Sequence, residues 1–441
     1  MKAFLAKHVS HLKAKVFVPG DKSIAHRAIF LSAISSGSTS IYNFPASDDC
    51  LATVKVFRAL GVKIIYRRNK HSLTVFGTGR LGLRKPRGSL FIKESGTTIR
   101  LLLGLLAGFD FKVTLIAGKA LSQRPMSRVT EPLRMMGARI KAKGSALKEE
   151  FLPITIKGGN LKSITYRMKV ASAQVKSAIL LAGLYAYGKT IVIEPVHTRD
   201  HTERMLKLFK ADLQIFKNKI VITGNNQLIS PKKITIASDI SSASFFIVLA
   251  TIIPESEILI KNVSLNPSRA GILKVLKRMG ASIKVSGCQG VKVPGGELCG
   301  DLTVSSSDLK ATVVTKKEIP SLIDEIPVLM VAAAVANGST VFDGVEELRV
   351  KETDRIRSMT ENLKRMGVPI EIKRTARSEK VIIHGQNTLK GASVQSFCDH
   401  RTAMSMVVAG LKATGHTSID DIRCINKSFP QFIDLIRKIV A

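Results

Sequence analysis

Six strongly apolar stretches punctuate the chain, at 25–34, 100–107, 175–186, 242–252, 327–336 and 402–411. Each spans two to three helical turns and is apolar nearly all round, which predicts six helices buried on every face. A second pattern recurs between them, in which a short basic or apolar run meets a Gly and then alternating apolar positions. It reads RALGVKIIY at 58–66, RMMGARIKA at 134–142, KRMGASIKV at 277–285 and KRMGVPIEI at 364–372, with KLFKADLQI at 207–215 a degenerate copy. A Gly at a helix C-terminus followed by a period-two strand accounts for it. Anchored on Gly61, Gly137, Lys210, Gly280 and Gly367, the copies lie 76, 73, 70 and 87 residues apart, the period of a supersecondary unit rather than a solenoid repeat. Four of the apolar helices also lead into a Gly and a Thr-containing strand, at 37–39, 188–190, 338–340 and 415–417.

Six similar units follow, the sixth incomplete because the final helix, 431–440, has no strand behind it. The strand expected at 14–18 precedes any unit of its own and is the candidate to complete it. The fold class expected is therefore α/β, two pseudo-symmetric domains of three units each. One covers 21–237, and the other joins 1–20 to 238–441, closed by the N-terminal strand.

Composition narrows the function classes. Over 441 residues, 45% hydrophobic and 23% charged are values of a packed globular chain, not a disordered one. No stretch approaches the roughly 20 apolar residues of a membrane span, and the Lys-studded N-terminus has no signal-peptide core, so a cytoplasmic protein is expected. Self-closing pseudo-symmetry makes a monomer the default. Five cysteines, at 50, 288, 299, 398 and 424, form no CxxC pair and no disulfide framework, and no Cys/His cluster has zinc-ligand spacing. Cys398 beside His400 reads as a small buried residue before a helix rather than a nucleophile.

The formal charge of +35 needs an account. Nucleic-acid binders concentrate charge in a stripe and interleave aromatics, whereas here Lys is dispersed, aromatics are 5% and Trp is absent. A solvated basic surface explains most of it. The informative cations are those at the helix starts: GDKSIAHR (20–27), ESGTTIR (94–100), SAQVKS (172–177), SDISSAS (238–244), DEIP (324–327) and DHRTAM (399–404). Ser, Thr and Asp there are ordinary N-caps. Lys and Arg oppose the macrodipole, and an anionic ligand resolves that conflict. Arg124, Arg199, Arg269, Lys351 with Arg355, and Lys427 recur at comparable places, which implies a cleft for a small, multiply charged ligand. Asp324 reads as a cap or a proton carrier, and Glu352 as an ion-pair partner of Lys351 or Arg355 or a proton carrier. Among His26, His201 and His400, only His400, between Asp399 and Arg401, favours substrate contact or proton relay. GxGxxG and GxxxxGK[ST] are absent, which sets aside nicotinamide and ATP.

The motifs PGDKSIAHRA (19–28), SGTTIRLL (95–102), QRPM (123–126), SAQVKSAILLAGL (172–184), TRDHTERML (198–206), ELRVKETDRI (347–356), DHRTAM (399–404) and KSFP (427–430) resemble the signatures of the EPSP synthases, the 3-phosphoshikimate 1-carboxyvinyltransferase family. They span nearly the whole chain in that family's order. The resemblance implies transfer of the enolpyruvyl group of phosphoenolpyruvate to the 5-hydroxyl of shikimate 3-phosphate, with phosphate released. It implies two domains of three βαβαββ units each, an inside-out α/β barrel arrangement with the active site in the interdomain cleft, and no metal or organic cofactor. Carried over by residue, Lys22, Ser23, Arg27, Ser172, Ala173, Gln174, Arg199, Asp324 and Lys351 bind shikimate 3-phosphate. Lys22, Gly96, Arg124, Gln174, Arg355, Arg401 and Lys427 hold phosphoenolpyruvate. Asp324 accepts the hydroxyl proton, Glu352 handles the proton at the methylene carbon, and Lys22 assists at the hydroxyl and the leaving phosphate.

Four positions depart from the family pattern: Glu94 where Asn is commoner, Lys119 where Asp often follows Gly, Ser238 where Gly is usual, and Ser268 where Thr is commoner. The sister family that uses UDP-N-acetylglucosamine as acceptor would carry a Cys in the loop matching Gly118 to Arg128 and would lack DKSxxHR and KETDR, so it is the weaker reading. A non-enzymatic polyanion-binding protein of the same fold is the reading from another class, testable by salt dependence.

Overall fold

The structure is a computed structural model that describes residues 2–145, 149–287, 297–375 and 378–441; Cys288 lies outside the described residues. Lys22–Ile236 form one compact unit, and the described residues of Met1–Asp21, Ala237–Lys292 and Glu297–Ala441 form the other.

Six central helices carry the design. In the first unit these are α1 (Lys22–Ile34), α2 (Gly96–Leu106) and α3 (Ala173–Gly183). In the second they are α4 (Ile240–Ile252), α5 (Ile326–Ala334) and α6 (His400–Lys412). Every residue of α4 is buried, and α6 is buried throughout except at Lys412. Helices apolar on all sides have no solvent face to offer, so each trio forms the middle of its own core. All six begin one to four residues before the apolar run, so the polar clusters noted above are helix starts.

Around each trio lie sheets of one repeated order. Among the described residues, five have four strands: an outer strand parallel to the central one, then two more joined antiparallel. The glycine anchors fall at the turns between outer helices and strands. Gly61, Gly137, Gly280 and Gly367 have φ of +89°, +109°, +100° and +88°. Lys210, the degenerate fifth anchor, takes the same left-handed conformation at +63° without the freedom that glycine has there.

The N-terminal segment enters the second unit twice. Lys13–Val16 runs parallel to Glu257–Ser264, supplying the outer strand of the fourth repeat. Phe4–Lys7 pairs antiparallel with His416–Ile419 and completes the sixth repeat's three-stranded sheet. The strand expected near 14–18 thus exists at 13–16, but the partner of the sixth repeat is the earlier strand. In the first unit the corresponding closure is made by Lys233–Thr235, parallel to Ser38–Tyr42. Strands at the hairpin edges, among them Lys63–Arg67, Arg139–Ser145, Ser282–Ser286 and Ile370–Arg374, carry exposed lysines at 63, 141, 143, 284 and 373. Among the described residues no helix is long and apolar enough to cross a membrane.

Candidate functional site

In the first unit the three helix starts are tied together by side chains. Lys22 opens α1 and pairs with Asp49 at 2.9 Å, from the Asp48–Ala59 helix. Arg27, one turn on, is buried and spends three N–H groups inward. Its Nε donates to Thr202 Oγ1 at 2.6 Å, Nη2 to Ser177 Oγ at 3.0 Å and Nη1 to the Ser23 carbonyl at 2.9 Å. The expected substrate ligand is thus also the clamp between α1, α3 and the His201–Leu208 helix. His26 is fully buried, its Nδ1 sharing a hydrogen bond with Thr53, which continues through Thr98 to the cap Ser95. That chain accounts for His26 as a structural residue.

Gly96, at the first position of α2, lies under two guanidinium groups: a Cβ there would stand 2.9 Å from both Arg100 Nη1 and Arg124 Nη1. Arg100, the cation of the ESGTTIR start, has no site role in the sequence reading, although it sits one helical turn after Gly96. It bonds the Gly96 carbonyl at 3.3 Å, Gln174 Oε1 at 3.0 Å and the Pro125 carbonyl at 3.3 Å. Gln174 Nε2 in turn donates to Thr97 Oγ1 at 3.0 Å. Gly96, Arg124 and Gln174, which the resemblance groups around phosphoenolpyruvate, are therefore brought together through Arg100. Ser172 caps α3, accepting from Val175 N at 3.4 Å, and Ala173 is its first residue.

Lys176, the cation of the SAQVKS start, likewise has no site role in the sequence reading. It is wholly buried between Glu194 at 3.0 Å and Glu203 at 2.6 Å. Glu194 also accepts from the backbone and hydroxyl of Thr198, which pins the loop bearing Arg199. Burial, with Lys176 opposing and Glu194 reinforcing it, raises the Glu203 carboxyl above its ordinary value. A lone Lys inside an otherwise apolar helix was the available signal.

The second unit has a different chemistry at the same places. Asp239 and Asp399 cap α4 and α6, accepting from Ser241 N at 2.9 Å and Arg401 N at 2.7 Å. Arg355, 1% exposed, is held by three carboxylates: Asp399 at 2.9 Å, Glu352 at 2.6 Å and Asp324 at 3.4 Å. Asp324 is not a helix cap; Glu325 holds that position, without a side-chain cap bond. The Asp324 carboxylate instead faces Arg355, Arg401 at 3.7 Å and Arg269 at 4.0 Å, while its carbonyl accepts from Arg401 at 2.8 Å. Arg269 also lies within 3.9 Å of Asp21 and Glu325 and 3.3 Å of Asp239.

Six carboxylates thus share three buried guanidinium groups, a locally acidic centre in a strongly basic chain. Burial first, then the charge of Asp21, pushes the Asp239 carboxyl well above its ordinary value despite Arg269 and Arg401. Burial alone would lower Arg355, but Asp399, Glu352 and Asp324 together hold it above the usual arginine range. Lys351 pairs with Glu347 at 3.6 Å, and Lys427 donates to the Cys398 carbonyl at 3.1 Å. His400 is buried at the first position of α6. Cys398 is exposed, contrary to the expected burial, because a left-handed turn at Phe397 and Cys398 lifts it out before the helix. Among the described residues no group of three or more His, Cys, Asp or Glu is placed to hold a metal ion.

Chemically, carboxylates can take and return protons, while the cations of the first unit can receive anionic oxygens. Comparisons with known proteins give the family. The profile of the family described as EPSP synthase (3-phosphoshikimate 1-carboxyvinyltransferase) matches residues 6–436. The 3-phosphoshikimate 1-carboxyvinyltransferase of Desulforamulus reducens is 46% identical over 433 residues, 98% of each chain. That of Geotalea uraniireducens is 44% identical over 441 residues, all of both chains. A solved EPSP synthase from Acinetobacter baumannii superposes with a TM-score of 0.86 at 40% identity, covering 99% of this chain and 98% of its own. With matching profile, relatives and structure all running the length of the sequence, the chain belongs to the EPSP synthase family.

Proposed function

We propose that the chain transfers the enolpyruvyl group of phosphoenolpyruvate to the 5-hydroxyl of shikimate 3-phosphate, yielding 5-enolpyruvylshikimate 3-phosphate and phosphate. The observation that carries the residue assignment is the Arg355 guanidinium gripping Glu352, Asp324 and Asp399 at once, because the reaction requires two proton carriers in one ordered cluster. Glu352 delivers a proton to the methylene carbon of phosphoenolpyruvate as the hydroxyl oxygen bonds to its neighbouring carbon, and Asp324 takes the hydroxyl proton. The tetrahedral adduct then returns a methyl proton to Glu352 and expels phosphate, which leaves with the proton held at Asp324, assisted by Lys22.

Lys22, Ser23, Arg27, Ser172, Ala173, Gln174, Arg199, Asp324 and Lys351 bind shikimate 3-phosphate in this reading. Lys22, Gly96, Arg124, Gln174, Arg355, Arg401 and Lys427 hold phosphoenolpyruvate. Guanidinium forks match carboxylate and phosphate oxygens, and Gly96 leaves backbone open to close approach. Holding both substrates in register supplies several kcal/mol of the barrier reduction. No metal or organic cofactor takes part, and the protein works as a cytoplasmic monomer, checked by light scattering.

The direct test is phosphate release from phosphoenolpyruvate by purified protein, with shikimate 3-phosphate, with UDP-N-acetylglucosamine, or with no acceptor. Release with shikimate 3-phosphate alone is the expected result. Release with the nucleotide sugar instead, or none from folded protein, overturns the proposal.

A further inference from the structure

Glu94 stands two residues before α2. Its Oε2 accepts the N–H of Leu121 at 2.7 Å. Leu121 lies in the single helical turn Lys119–Ser122, which opens after Gly118 and leads to Gln123 and Arg124. The carbonyl of that same Leu121 accepts the N–H of Arg124 at 3.1 Å. One residue, Leu121, therefore links the Glu94 carboxylate to the backbone of a residue assigned to phosphoenolpyruvate.

The turn is fastened at both ends. At its entry, Gly118 N donates to the Lys93 carbonyl at 2.8 Å; at its exit, Arg100 Nη2 bonds the Pro125 carbonyl at 3.3 Å. Glu94 holds the middle. Gly118 leaves it the room to do so: its φ is −70°, which any residue adopts, but a Cβ there would stand 2.0 Å from Glu94 Oε1. A side chain at 118 and the carboxylate in its observed place exclude one another. Lys119, the neighbouring departure from the family pattern, is exposed and takes no part in this contact.

We propose that Glu94 is a positioning residue that fixes the 118–124 turn, and through it Arg124, so that it sets the affinity for phosphoenolpyruvate and not for shikimate 3-phosphate. The inference rests on the proposed reaction. Its selectivity follows from placement, since the residues of this unit assigned to shikimate 3-phosphate lie on α1, at the start of α3 and in the loop of Arg199, none of them on the turn.

Glu94→Ala is expected to raise KM for phosphoenolpyruvate about tenfold, the scale of one charge-assisted hydrogen bond, with kcat and KM for shikimate 3-phosphate within about twofold. Glu94→Gln, whose carbonyl still accepts the Leu121 N–H, should stay within about threefold of wild type. Gly118→Ala should match Glu94→Ala alone and add little to it, because both lose the same contact. A parallel rise in both KM values, or full additivity of the two substitutions, overturns the proposal. Hydrogen exchange gives a reading independent of turnover: the Leu121 amide should exchange faster in Glu94→Ala, or in Gly118→Ala if the first does not fold. Unchanged exchange overturns the anchor. Faster exchange in a protein that releases no phosphate upholds the anchor and overturns the reaction instead.

Discussion

The two units repeat one plan with opposite electrostatics at the helix starts. In the first, α2 and α3 are capped by Ser95 and Ser172, and the buried Arg27 is satisfied by hydroxyls and a carbonyl. In the second, α4 and α6 are capped by Asp239 and Asp399, and the buried Arg355 is satisfied by three carboxylates. Both caps meet the backbone's need for an acceptor equally well. They differ in what remains: the Ser caps add no charge at the helix start, whereas the Asp caps put carboxylates there, Asp399 against Arg355 at 2.9 Å and Asp239 against Arg269 at 3.3 Å. The repeat determines where polar groups gather within a unit, and the identity of a few caps determines how much negative charge stands there. Lys176 between Glu194 and Glu203 is the first unit's exception, an ion cluster set deeper than the caps.

Replacing the two carboxylates proposed to carry protons should have the largest effect. Asp324→Asn or Glu352→Gln is expected to lower kcat by roughly 10² to 10⁴ with both substrates still binding, measured by steady-state phosphate release. Near-normal turnover in either variant would reduce that carboxylate to a partner of Arg355. Next in size, Lys176→Met should strand two buried glutamates and cost about 3–5 kcal/mol in urea unfolding, the scale of a broken buried ion pair. A cost near zero would mean that the glutamates simply take up protons.

The smallest effect is a slope. Because the Asp239 carboxyl is raised in the folded state, the folded protein keeps its proton longer than the unfolded chain does. Its favourable contribution is complete below the ordinary aspartate value near 4 and is lost as pH rises toward the folded value. Asp239→Asn should therefore flatten the decline of stability between about pH 4 and neutrality, read from denaturant midpoints at several pH values. An unchanged slope would show that the acidic cluster does not titrate through Asp239.

The six buried helices were legible because helices apolar all round announce themselves without tertiary information. The glycine anchors were equally plain, and even Lys210 adopts the backbone that its place in the repeat demands. The first strand was misassigned for a physical reason. Phe4–Lys7 is four residues long with only Ala6 fully buried, too little alternation to compete with the stretch that follows it. At the site, sequence supplied the residue types and their order but not the direction of their side chains. The Glu352–Arg355 pair is one the sequence offers, yet only coordinates reveal that Arg355 also gathers Asp324 and Asp399 and that Arg27 turns to hydroxyls. Arg100 and Lys176 stand out at their helix starts without an assigned role, because a single charge within an apolar helix gives no hint of its partner.

The lysines on the hairpin-edge strands give the basic surface a consequence in colloidal terms. Placing the helices in the middle of each unit leaves strand edges facing outward, at Lys63–Arg67, Arg139–Ser145, Ser282–Ser286 and Ile370–Arg374. An open edge is a template for pairing with another chain, and an exposed ammonium group on it must be desolvated and brought against its like before two edges can join. The excess of Lys and Arg thus acts as a deterrent to edge-to-edge association, supplying solubility to a fold that keeps its helices inside.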